Sequence, residues 1–98
     1  MIDFALARAW LENKIGERPV ASIAIEVVHN DQQSKPVSVV RAKGNTVAGQ
    51  FSLWVTGEAD SEIYKSGNVV SQEWGMMLDN ETLPKSFERF LAALQSHI

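Results

Sequence analysis

Four residues of the 98-residue chain could do chemistry together: Glu58, Asp60, Glu62 and Tyr64. All are even-numbered, so on an extended strand, where side chains alternate with period two, they share one face. Ile63 takes the other face. An isoleucine belongs in the core, so the carboxylates point to solvent. Trp54 lies opposite in phase to Phe51, Leu53 and Val55, which adds a tryptophan to the acidic face. Glu73 is expected beside Asp60 on the next strand. From Glu58 to Glu81 there are six acids against one base.

Three uses fit such a face. It can be a plain solvated sheet surface. It can bind a basic protein, because aromatic anchors in a charged surround suit recognition and opposed like charges favour a cationic partner. It can also hold a divalent metal, as in carboxylate nucleases. Against the metal, side chains on one strand face stand roughly 6–7 Å apart, and no lysine or histidine base accompanies these. The residues expected to contact a partner are Trp54, Glu58, Asp60, Glu62, Tyr64 and Glu73.

Other chemistry finds little support. Cysteine is absent, which excludes disulfides, thiolate zinc sites and a cysteine nucleophile. The two histidines, His29 and His97, have no spaced partners that suggest a metal site, and no serine-nucleophile motif lies near them. Phosphate-cradling and zinc-protease signatures are missing too. The expectation is a protein with no cofactor, no metal and no catalytic residues. A net charge of −3 and a pI of about 5.3 speak against general nucleic-acid binding. No stretch approaches the roughly 18 uninterrupted apolar residues of a membrane span. Met1-Ile2-Asp3-Phe4 has no basic lead, so no signal peptide is read and a cytoplasmic protein is expected.

The elements that must position the acidic face follow from periodicity. Phe4, Ala7, Leu11 and Ile15, widened by Leu6 and Trp10, predict a helix over 2–15. Gly16 and Pro19 end it. Period-two alternation predicts strands at 20–28, 37–43, 47–55, 59–65 and 69–78. Gly44-Asn45 is a candidate hairpin turn that would set Ser38 beside Phe51. Ser66-Gly67 is the better turn between the last two strands. It pairs Ile63 with Val70 and keeps Trp74 and Met76 on the face of Ile63. Thr82 as N-cap, Pro84 in the first turn and the stripe Leu83, Phe87, Phe90, Leu91, Leu94 and Ile98 predict a second helix over 83–96. The expected core face of the sheet carries Ile23, Ile25, Val27, Val40, Phe51, Leu53, Val55, Ile63 and Trp74. The fold class is therefore α+β: one domain over 1–98, a five-stranded antiparallel sheet with an N-terminal and a C-terminal helix packed on one face.

Leu53-Trp54-x-x-Gly57-Glu58-x-Asp60-x-Glu62, with the stripe Leu83…Phe87…Phe90-Leu91…Leu94 behind it, resembles the TriTu-type immunity proteins of bacterial polymorphic toxin systems. The resemblance covers about residues 47–95 and is most specific at Trp54, Gly57, Glu58, Asp60 and Glu62. It implies a small, strand-rich, non-enzymatic protein that binds and neutralises a cognate toxin domain delivered by a neighbouring cell. The expected partner is that toxin domain, through a basic surface, with no nucleic acid or membrane involved and the protein a monomer or weak dimer. Two other readings stay open: an acidic chaperone or adaptor for a secreted effector, and a small metal-dependent enzyme using Glu58, Asp60 and Glu62.

Overall fold

The computed structural model describes residues 1–98 in the order α1 (Phe4–Gly16), β1 (Ala24–Asn30), β2 (Val37–Lys43), β3 (Val47–Trp54), β4 (Glu58–Lys65), β5 (Asn68–Met77) and α2 (Leu83–Ser96). The strands form one antiparallel sheet in sequence order. Both helices lie on the same side of it, so the α+β expectation holds.

The helices start where side chains satisfy their free amide donors. Asp3 caps α1, its carboxylate accepting from the Leu6 amide at 3.1 Å. Thr82 does not cap α2 as expected. Asp79 does that work three residues earlier, accepting from the Thr82 and Glu81 amides at 2.8 and 3.0 Å. These bonds favour the ionised carboxyl and hold Asp79 below its ordinary range.

Seventeen buried residues form one apolar cluster between helices and sheet. Phe87 of α2 is its hub, meeting Trp10 of α1 and Phe51 of β3 edge-on with ring centroids 5.7 and 5.2 Å apart. Gly49 on β3 lets α2 come close. A Cβ there would lie 2.8 Å from a Leu94 methyl and 3.1 Å from the Phe90 ring.

Several expectations need correction. Residues 20–23 form a turn rather than strand, with Val20 and Ile23 both buried. Leu6 and Ile98 are 59% and 57% exposed and leave their stripes, Ile98 because α2 ends at Ser96. The β2–β3 turn is Asn45-Thr46, so Val40 faces Phe51 and Ser38 faces Leu53. That moves each partner by two residues, which leaves every face unchanged. Val55 lies past the end of β3 and is exposed.

The largest correction concerns β5. Ser66-Gly67 is the turn, both residues at positive φ (52° and 83°), as a tight hairpin demands. The register then slips twice. One bulge lies opposite the Ile63–Tyr64 step, so Ile63 faces Ser71 rather than Val70. A second lies opposite Asp60, where Gly75 sits at φ 70°. Each extra residue turns the strand over once. Between the bulges, Glu73 comes to the helix side opposite Ser61, and Trp74 goes to the outer side, 63% exposed. Beyond the second bulge Met76 returns to the helix side, where the Ser86 hydroxyl meets its sulfur at 3.2 Å.

Candidate functional site

No helix covers the face away from α1 and α2; only the loop after β1 leans on it, beside Trp54. On β3 this face shows Gln50, Ser52 and Trp54; on β4 it shows Glu58, Asp60, Glu62 and Tyr64. Five of the six residues expected to meet a partner thus share one surface. The sixth, Glu73, does not. The first bulge puts it on the helix side, where Arg89 of α2 grips it through two bonds at 3.2 and 2.9 Å. That guanidinium holds the Glu73 carboxyl below its ordinary range. Trp74, assigned to the core from sequence, takes its place on the outer face. A glycine inside an apparent strand, Gly75, was the available sign of the bulge.

Each of the three β4 carboxylates has its own partner. Lys35, on the loop after β1, places its ammonium 2.6 Å from Glu58 and 5.6 Å from the centre of the Trp54 ring. The bond keeps Glu58 ionised below its ordinary range. Pro36 anchors this loop by accepting from the Val55 amide at 2.9 Å. Asp60 accepts from the Gly75 amide at 2.8 Å and so locks the second bulge. Glu62 is held by two aromatics: the Tyr64 hydroxyl donates to one oxygen, and the Trp74 indole donates to the other at 3.2 Å. The hydrogen bond to Glu62 stabilises the protonated phenol and raises the Tyr64 pKa. The result is a rim of rigid aromatics and fixed carboxylates around a groove of about 260 Å³, lined in part by Val37, Val39 and Ser52. The carboxylates do not converge, and no three His, Asp or Glu side chains come together as a metal would need.

A second polar chain lies on the helix side, and sequence reasoning did not foresee it. Arg8 of α1 pairs with Asp31 at 2.5 Å and donates from Nε to Ser38 Oγ at 2.8 Å. Ser38 Oγ lies 2.7 Å from His29 Nδ1, and His29 Nε2 lies 2.7 Å from Glu12. With a neutral imidazole the donors run in one direction. Arginine has no acceptor, so the Ser38 hydroxyl donates to Nδ1 and Nε2–H donates to Glu12. Serine, histidine and acid in a row suggest a nucleophile. Yet Ser38 is 0% exposed and already engaged by Arg8, so no substrate reaches its oxygen. The chain pins α1 to the β1–β2 pair.

Residues 5–93 match the family model described as immunity protein TriTu. No curated protein and no solved structure matches the chain. The family match spans most of α1, all five strands and most of α2, and the chain belongs to the TriTu family of immunity proteins.

Proposed function

We propose that this immunity protein binds and neutralises a cognate toxin domain of a bacterial polymorphic toxin system in the cytoplasm, through the outer face of its sheet. It acts by occupancy, as a non-enzymatic inhibitor in a one-to-one complex. Trp54, Trp74 and Tyr64 supply the anchors, and Glu58, Asp60 and Glu62 supply the charge. One observation carries the reading: no helix covers the outer sheet face, and Trp74 lies 63% exposed on it, tied to Glu62. A large aromatic held at the surface by a hydrogen bond loses little freedom when a partner covers it, which is how an interface hot spot is built.

The test is binding kinetics with the toxin domain encoded beside this chain. Replacing both Asp60 and Glu62 by lysine slows association and flattens its salt dependence, because charge steers encounter over long range. If both rates and the salt slope stay as in the unaltered protein, the toxin binds elsewhere.

A further inference from the structure

The outer face is not uniformly acidic. Beside the start of β1 it sinks into an open dish of about 640 Å³. The registers explain the hollow. Across the sheet, Ala24 sits beside Lys43, Lys43 beside Ala48, and Ala48 beside Tyr64, so two methyl groups alternate with two long side chains. Lys43 stands between the two alanines and Arg41 in the next row, both exposed. Neither takes part in any of the protein's five ion pairs. Glu26, opposite Arg41, is the one acid nearby.

Arg41, Gln50 and Glu62 stand in one cross-strand row. Two strand spacings, about 10 Å, therefore separate the backbone positions of an arginine outside every ion pair and a carboxylate. Meanwhile the negative pole is weaker than composition suggests. Lys35 neutralises Glu58, and Glu73 sits on the other side with Arg89. What remains is a dipolar surface: Arg41 and Lys43 outnumber Glu26 over β1 and β2, while Asp60 and Glu62 stand over β4.

We propose that the toxin domain docks across both poles at once. One of its acidic groups meets Arg41 and Lys43 over the dish, while a basic group meets Asp60 and Glu62. This rests on the outer face being the toxin-binding site, and it adds the orientation of the complex and the charge pattern of the partner. Charge complementarity is the argument: a partner with a uniformly basic surface would be repelled by Arg41 and Lys43, and like charges brought together at an interface are costly.

The experiment compares association rates for the same toxin domain at low and high salt. Double reversal of Arg41 and Lys43 to glutamate separates the readings by sign. Docking on both poles predicts association slowed by about fivefold or more at low salt, since rim charges act chiefly on the on-rate. A surface attracting the toxin by negative charge alone predicts faster association. Faster or unchanged association overturns the proposal. The uncharged variant Ala48→Tyr, which fills the dish, is expected to raise the dissociation rate at least severalfold, and an unchanged rate puts the dish outside the interface. Reversal at Asp60 and Glu62 is measured alongside. If that pair has no effect, the outer-face reading itself fails; if it slows binding while the Arg41 and Lys43 pair does not, only the two-pole docking falls. Thermal melts of each variant confirm that folding is intact.

Discussion

At Gly57 the backbone takes φ +94°, and a Cβ would lie 2.5 Å from the Leu78 carbonyl oxygen. That oxygen belongs to a backbone pinned here, because the Leu78 amide donates to the Gly57 carbonyl at 2.8 Å. Gly57→Ala therefore meets both a left-handed conformation and a clash, and is expected to cost at least the ~1–3 kcal/mol of backbone strain, read by denaturant unfolding. Trp74 makes the opposite demand. Being mostly exposed, it adds little to folding, so Trp74→Ala should leave the melting temperature nearly unchanged. As an anchor it should hasten dissociation of the toxin complex by about 30-fold, the equivalent of roughly 2 kcal/mol for a hot spot. Unaltered dissociation would take Trp74 out of the interface. Trp54, under Lys35, was readable from sequence by its phase. Trp74 was not, because phase counts only until the first bulge.

The two helices carry different kinds of cargo. Helix α2 brings Phe87, Phe90 and Leu94 onto Phe51 and Gly49, and this contact is close-packed. Phe90→Ala is expected to cost about 3–5 kcal/mol, the range for deleting a buried phenylalanine. A thermal melt within a degree or two of the unaltered protein would show that α2 does not pack there. Helix α1 is held by polar bonds as well as by Ala7 and Leu11. Ser38→Ala leaves the Arg8 Nε–H without its acceptor in a part-buried place, which is expected to cost about 1–3 kcal/mol in unfolding free energy. His29→Ala is expected to weaken the same tie yet keep protection against the toxin in cells, if binding supplies that protection as proposed. Lost protection with fold and toxin affinity intact would reveal a reaction at His29.

Over the whole molecule, ion pairs and caps draw several carboxyl groups in one direction. Asp31 beside Arg8, Glu58 beside Lys35, Glu73 beside Arg89 and Asp79 at the start of α2 are all lowered. A carboxyl lowered in the folded state binds protons more weakly there than in the unfolded chain, so it stabilises the fold when ionised. This contribution is complete above the ordinary values of 3.8 for Asp79 and 4.5 for Glu58. It is lost as pH falls on through the lower folded values. Chemical unfolding as a function of pH should thus show stability declining at the acid end, below the ordinary carboxyl values. In Asp79→Asn that decline should be shallower, and an identical slope would mean that the cap contributes nothing through its charge.

The element order, the side of the sheet that the helices cover and the shared face of Trp54, Glu58, Asp60, Glu62 and Tyr64 were determined by the sequence alone. Periods of two and 3.6 are local properties, and they survive even a two-residue error in hairpin register because such an error changes no face. The family, too, was legible from the Trp54–Glu62 stretch. The tertiary structure alone decided what each charge meets: Lys35 on Glu58, Arg89 on Glu73, Arg8 and Glu12 on the Ser38–His29 pair. Those partners lie 16 to 30 residues apart along the chain, and no periodicity couples them. It also decided the faces of Glu73 and Trp74. A bulge adds one residue to one strand, and with a side-chain period of two that single residue exchanges inside for outside.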